Sequence, residues 1–177
     1  MHKLNSNIVS NNNQEPLIKL DINGNEIKDG WEVIPLSNFG KGTYIFLGSQ
    51  LCRLNQEHIY MGKSTMIRYK GFNVHTGKNV IDKIDVKYDI IHVPIIKKKI
   101  YQVIDIIKEG KDEYLTLMDS DGNIREDFKL FSFQEIDQLI KDLRQILKED
   151  RIECYLTLGQ FKDEQEFILD VTEGDQV

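Results

Sequence analysis

The amino-acid sequence predicts a mostly β chain with one helix, folded as two small barrels in tandem. Three observations lead there. Short apolar runs punctuated by glycine fill residues 36–94, the pattern of closely spaced short strands. A second set of strands follows Pro94, with one amphipathic helix inside it. The charge balance changes at the same boundary. It is net −2 over residues 1–35, +4 over 36–94 and −8 over 95–177, as expected of two units with different surfaces.

The 177 residues suffice for one domain or two small ones, at about 100–200 residues each. An N-terminal extension is expected over 1–35. Its segment Ser6 to Gln14 is asparagine-rich and buries too little apolar surface to offset the entropy of ordering. The first barrel is expected over 36–94. Tyr44 to Leu47 is an apolar run between Gly42 and Gly48, and Leu51 to Leu54 and Thr65 to Tyr69 follow. Phe72 to His75 then enters a Thr76-Gly77 turn, and Val80 to Val86 alternates beyond it. The apolar cluster Trp31 to Leu36 suits either an added strand on this barrel or a contact with a partner protein.

The second barrel is expected over 95–177. Tyr101 to Ile107 is rich in β-branched residues. Tyr114 to Met118 alternates, Asp119-Ser120-Asp121-Gly122-Asn123 turns the chain, and Ile124 to Leu130 returns, which makes a hairpin with an Asp-Gly turn signal. Ser132-Phe133-Gln134-Glu135 has the capping-box pattern, with Ser132 as N-cap and Phe131 placed to staple onto Ile136. Ile136, Leu139, Ile140, Leu143 and Leu147 fall on one helical face. Cys154 to Leu158 and Phe167 to Val171 complete five strands, with the helix between the third and fourth. That order predicts an OB-like Greek-key barrel.

Several function classes have no support. No apolar run approaches the roughly 20 residues a bilayer span needs, and Met1 to Asn13 lacks the apolar centre of a secretory signal. A cytoplasmic protein without a membrane partner is the expectation. Cys52 and Cys154 lie far apart and are expected to be reduced core residues. Met61-Gly62-Lys63-Ser64-Thr65 resembles the end of a phosphate-binding loop, but Glu57 stands where the motif's first glycine belongs. Asp119, Asp121 and Asn123 have the spacing of a calcium loop, yet Ile124 and Leu130 replace its glycine and its glutamate. His2, His58, His75 and His92 show no metal-ligand spacing. No enzymatic activity, cofactor, metal or small-molecule substrate is expected.

What the sequence offers is a basic unit beside an acidic one. Lys63, Arg68, Lys70, Lys78 and Lys83 are the candidate contacts to phosphate backbones. Tyr60, Tyr69 and Phe72 lie among them, where aromatic rings serve either as core or as stacking platforms for bases.

Specific residues resemble a known family. Tyr101-Gln102-Val103-Ile104-Asp105-Ile106, Tyr114-Leu115-Thr116-Leu117-Met118-Asp119-Ser120-Asp121-Gly122 and Arg125-Glu126-Asp127-Phe128-Lys129-Leu130 resemble the C-terminal domain of the hypusine-containing translation factor 5A family, relatives of bacterial elongation factor P. Gly71-Phe72-Asn73-Val74-His75-Thr76-Gly77-Lys78 resembles that family's Gly-Ile-Asp-Ile-Phe-Thr-Gly-Lys stretch. Val93-Pro94 matches the end of its Asp-Val-Pro linker, and Cys52-Arg53-Leu54 its Cys-Lys-Ile strand. The resemblance runs from Leu36 to Val171. It implies an SH3-like barrel followed by an OB domain, and it implies binding to the ribosome, with tRNA or rRNA as partner, in translation elongation. The family loop Ser-Thr-Ser-Lys-Thr-Gly-Lys-His-Gly carries the lysine that becomes hypusine. Its counterpart here, His58-Ile59-Tyr60-Met61-Gly62-Lys63, is shorter, and Lys63 with Gly62 matches the loop's second, unmodified lysine. The resemblance therefore implies a translation factor 5A-like protein without hypusine. The alternative is a paralogue repurposed as a structural subunit of a larger assembly, docked to protein partners through its N-terminal extension.

Overall fold

The computed structural model describes residues 19–21, 24–55, 59–60, 66–85, 89–149 and 152–174. Alternating apolar side chains and glycine turns give the first barrel its strands. A short hairpin pairs β1 (Lys19–Leu20) with β2 (Glu26–Ile27). β3 (Trp31–Pro35) pairs with β9 (Ile90–Pro94), matching Trp31 to Pro94 and Pro35 to Ile90. The apolar cluster at Trp31 is thus a strand bonded to residues of its own chain, and it lies within the stretch expected to be extension. A second sheet holds β4 (Tyr44–Leu47), β5 (Gln50–Leu54), β7 (Met66–Asn73) and β6 (Ile59–Tyr60) in that order, with β8 (Asn79–Asp85) also paired to β7. Leu47, Cys52, Leu54, Ile67 and Tyr69 fill the core between the two sheets. This is the SH3-like barrel.

β7 corrects one sequence expectation. Thr65 to Tyr69 and Phe72 to His75 are not two strands, because the chain runs unbroken from Met66 to Asn73. Gly71 is the reason it does so. A Cβ there would lie 2.8 Å from the Arg53 carbonyl oxygen, so only glycine lets β7 cross β5 this closely.

The second barrel follows from Lys97. β10 (Lys97–Glu109) pairs with β11 (Asp112–Met118) on one side and β13 (Glu153–Gln160) on the other, giving the order β12 (Ile124–Lys129), β11, β10, β13, β14 (Phe167–Gly174). β10 begins four residues before the expected Tyr101 and carries Lys97, Lys98 and Lys99. At the β11–β12 turn the Asp119 carboxylate accepts from the Asp121 and Asn123 backbone N–H groups, each at 2.9 Å. Hydrogen bonds from Asn123, through its side chain and its backbone, are the main reason its pKa lies below the usual carboxylate value. Helix α1 (Asp137–Ile146) lies between β12 and β13 and sends Ile140, Leu143 and Ile146 into the core with Leu115, Leu117 and Leu156. Among the described residues no helix is long and apolar enough to cross a membrane.

The helix start differs from expectation. Ser132 is not the N-cap: the helix begins at Asp137, Ile136 precedes it, and no side chain caps it. The Ser132 hydroxyl instead donates to the Asp137 carboxylate. Phe131 is 40% exposed, with Lys129 Nζ 5.5 Å from its ring centre, and does not act as a staple. Residues 133–136 form a separate turn closed by Ile136 N–H donating to the Phe133 carbonyl. Phe133 itself leaves the helix to reach the first barrel.

An aromatic seam joins the barrels. Trp31 and Phe46 of the first barrel stack at 5.5 Å, and Phe161 of the second contacts Phe46 at 5.2 Å and Trp31 at 5.7 Å. Phe167 meets Tyr44 at 5.5 Å and His75 edge-on at 5.7 Å. Phe133 lies 6.2 Å from Phe72 and over Gly77, where a Cβ would stand 2.5 Å from its ring. Edge-on and tilted rings at these separations add attraction beyond the area they bury.

Two outcomes are expected. Leu143, fully buried, should cost roughly 2–5 kcal/mol on truncation to Ala. Ser132→Ala should cost within about 0.5 kcal/mol, as expected of an exposed site that is no cap. Chemical denaturation of both variants checks this, and equal losses would refute the register of α1. The second outcome concerns the seam. Burial holds the His75 pKa below its ordinary 6.5, opposed in part by the nearby Glu164 carboxylate. The unfolded chain therefore binds this proton before the native one does. The His75 contribution to stability is full above about pH 6.5 and declines as pH falls below it. Thermal melts from pH 7.5 to 5.5 should show a shallower loss for His75→Gln than for the unmodified protein.

Candidate nucleic-acid interface

The β7–β8 ribbon brings three of the five expected phosphate contacts together. Arg68 and Lys83 are cross-strand partners, and Lys70 faces Ile81 two pairs further along. Strand alternation turns Ile67 and Tyr69 into the core and leaves Arg68 and Lys83 exposed, with Lys70 half-buried. Among the described residues neither Arg68 nor Lys83 makes an ion pair. Like charges directly opposite each other on a sheet repel, and a bound anion between them would relieve that repulsion. Asp82, the acidic residue between Ile81 and Lys83, is turned away: its carboxylate accepts from the Gly48 N–H at 2.9 Å.

The other expected residues fall elsewhere. Lys78 is exposed in the turn at the far end of the ribbon, its N–H donating to the Thr76 hydroxyl at 3.4 Å. It is separated from Lys83 by five strand steps, roughly 16 Å. Lys63, His58, Met61 and Gly62 lie outside the described residues. Ile59 and Tyr60 are placed by backbone alone, Ile59 opposite Arg68 and Tyr60 opposite Ile67. The two aromatics whose side chains are described are not stacking platforms. Tyr69 is 1% exposed and packs edge-on against Phe39 at 4.9 Å. Phe72 shares the outward face with Arg68 and Lys70 but is covered by Phe133 of the second barrel.

The structure adds cations that the sequence pattern does not single out. Arg53 faces outward on β5 as the cross-strand partner of Phe72, with its guanidinium carbon 5.9 Å from the Tyr44 ring centre. Across the groove between the barrels stands Lys98, with Ile100, Leu139 and Thr157 beside it and with Glu135 and Asp170 as acidic members of the same lining. The signal for Arg53 lay in the alternation of Leu51 to Leu54. That it shares a groove with Lys98 depends on how the barrels meet, which no local pattern encodes.

Neither cysteine is poised for chemistry. Cys52 and Cys154 are buried, and burial pushes both thiols up to about 11. On the second barrel Arg125 donates to Asp127 at 2.7 Å through Nε and to Glu166 at 2.7 Å through Nη1, and it lies 5.6 Å from the Tyr101 ring centre. Its hydrogen-bonding capacity is taken up holding β12 against the start of β14, two strands that the sheet itself does not pair.

One variant tests the sheet beneath the cationic ribbon. Gly71→Ala drives a methyl against the Arg53 carbonyl and should destabilise the first barrel by about 1–3 kcal/mol. A denaturation midpoint unchanged from the unmodified protein would refute the close crossing of β5 and β7.

Comparison with known proteins agrees with this architecture. Residues 95–168 match the family described as eukaryotic elongation factor 5A hypusine, DNA-binding OB fold. No curated protein sequence matches the chain. Among solved structures, a translation initiation factor 5A family protein from Naegleria fowleri superposes with a TM-score of 0.54 at 24% identity, over 80% of this chain and 98% of that one. The eukaryotic translation initiation factor 5A from Methanococcus jannaschii superposes with a TM-score of 0.53 at 16% identity, over 81% of this chain and 98% of that one. At these identities the two superpositions speak for the shared fold, and the family match speaks for the second barrel. Residues 95–168 are thus similar to the translation factor 5A OB domain by family match, and the SH3-like barrel leading into them is similar to the same proteins in fold.

Proposed function

We propose that this protein binds the ribosome, through tRNA or rRNA phosphates, on the outward face of the β7–β8 ribbon. In this reading it acts in translation elongation in the cytoplasm, as a non-enzymatic factor without hypusine. The observation that carries the proposal is the position of the cations left unpaired among the described residues. Residues 61–65 connect β6 to β7, and Ile59 and Arg68 are cross-strand partners at the point where that connection leaves and returns. The counterpart of the family's lysine loop thus joins the strand that bears Arg68 and Lys70, opposite Lys83. A cationic ribbon at the base of such a loop is suited to grip backbone phosphates. The shortened loop, with Lys63 as its only lysine, is the basis for proposing that no hypusine is made.

The alternative, a structural subunit docked through residues before Leu36, draws less support. Trp31 packs on Phe46 and Phe161, and residues 31–35 pair with 90–94. That apolar cluster is already covered by its own chain.

Sedimentation of cell extract on sucrose gradients tests the proposal. The native protein should comigrate with ribosomes at low salt and leave them at high salt. A triple variant, Arg68→Ala, Lys70→Ala and Lys83→Ala, should bind more weakly, with the salt slope reduced by about one for each phosphate-binding cation removed. Peptide mass spectrometry should find Lys63 unmodified. Absence from ribosomal fractions at every salt concentration would overturn the ribosome reading, and a hypusine mass at Lys63 would overturn the other half.

A further inference from the structure

We propose that the outer face of the second barrel, across β10, β11 and β12, is a docking surface for a basic protein segment that carries apolar side chains. Two β-bulges shape this face. Between Val103 and Asp105 the register of β10 against β11 shifts. Consecutive residues Ile104 and Asp105 are both left exposed there instead of one turning inward. A second shift occurs opposite Leu115 to Leu117, and it leaves Glu126 and Asp127 both exposed on β12.

The result is an apolar strip with an acidic border. Ile124 is 61% exposed and pairs with Met118, which pairs in turn with Gln102, while Ile104, two residues beyond Gln102, is 45% exposed. Residues placed diagonally across strands in this way lie about 7–8 Å apart, within reach of long side chains. Asp105, Glu126 and the Asp119–Asp121 turn border the strip, and no lysine or arginine lies on the face among Gln102, Ile104, Thr116, Met118, Ile124 and Glu126. Glu126 is further engaged with the Thr116 hydroxyl, 3.5 Å away.

This chemistry excludes a phosphate backbone and selects its opposite. Lys129, which the register places on this face opposite Tyr114, is held by Asp112 at 2.7 Å, so a bare RNA strand would meet mainly carboxylates. A protein segment alternating Lys or Arg with Leu, Ile or Val would place its apolar side chains on Ile104, Met118 and Ile124 and its cations over the border. A contiguous apolar patch rimmed by polar residues is a common mark of an interaction surface, and the OB fold itself does not dictate a nucleic-acid ligand. The inference stands apart from the ribosome reading, because it uses none of the residues of the β7–β8 ribbon.

Nuclear magnetic resonance titration of the full-length, isotope-labelled protein provides the test. The probes are a peptide of alternating Lys and Leu, one of alternating Lys and Ser, and an oligouridine. The Lys-Leu peptide should shift amide signals of residues 102–105, 116–118 and 124–126. It should bind the Ile104→Ser, Ile124→Ser double variant about tenfold more weakly, since both positions are exposed and the substitutions remove apolar surface. Unchanged thermal melting of the double variant checks that the fold is intact. Equal binding by the Lys-Ser peptide would reduce the surface to a charge effect and overturn the proposal. Shifts at this face from oligouridine, or none there from the Lys-Leu peptide, would overturn it too.

Discussion

The aromatic seam between the barrels is the constraint on which the rest of the arrangement depends. Trp31, Phe46 and Phe161 form a closed set of three ring contacts, and Phe167 extends it to Tyr44 and His75. Both barrels contribute residues to this third core, which includes Leu51, Val74, Phe161 and Phe167. Neither barrel completes its own burial alone. The seam also decides what is left free. It covers Tyr44 and Phe72 on the first barrel's outer face and leaves the Arg68–Lys83 end open. The position of the cationic ribbon at the surface is thus a consequence of where the second barrel sits.

Two glycines make this geometry possible, each for a different reason. Gly71 admits the close crossing of β5 and β7, and so lets one long strand serve both the core and the ribbon. Gly77, at a φ of +67°, turns the chain in a conformation that costs other residues and leaves room for the Phe133 ring. Without that room Phe133 has no seat on the first barrel. Phe133 also packs against the core of its own barrel, so the turn 133–136 that precedes α1 sits where both barrels meet.

This explains which features were legible in the sequence. The helical face of Ile136, Ile140 and Leu143 is written in local periodicity and appears where expected, with Ile146 completing it. The five-strand order with one helix between the third and fourth is likewise local, since each hairpin carries its own turn chemistry. The capping box at Ser132 has the right residues, but the Ser132 hydroxyl is spent on the Asp137 carboxylate and the helix begins at Asp137. The sequence leaves Phe72 open between core and platform for a related cause. Its parity places it on the outward face, correctly, but parity carries no information about a second barrel that covers it. For Tyr69 parity alone was decisive, since Ile67 and Tyr69 alternate inward with Arg68 and Lys70 on the other face. Arg53 and Lys98 escape a reading by local pattern because the groove they share is a property of the assembled pair of barrels.

The charge asymmetry along the chain acquires a physical meaning once the faces are assigned. On the first barrel, Arg68 and Lys83 lie opposite one another with no carboxylate partner among the described residues. On the second, Arg125, Lys129 and Arg144 are each paired with a carboxylate, at Asp127, Asp112 and Glu113 respectively. The same residue types therefore play unlike roles. In the OB domain they hold strands and helix together, and the carboxylates that remain border an apolar strip. In the SH3-like barrel Arg68 and Lys83 have no such pairing among the described residues, and it is there that we propose a partner binds. Exposed ion pairs contribute little to stability, so the Arg125–Asp127 and Lys129–Asp112 pairs mainly neutralise the surface, while the partly buried Arg125–Glu166 pair ties β12 to the start of β14. With Arg68 and Lys83 opposite one another on the first barrel, and Arg125, Lys129 and Arg144 each held by a carboxylate on the second, the two barrels present different surfaces, and the seam fixes the angle at which they do so.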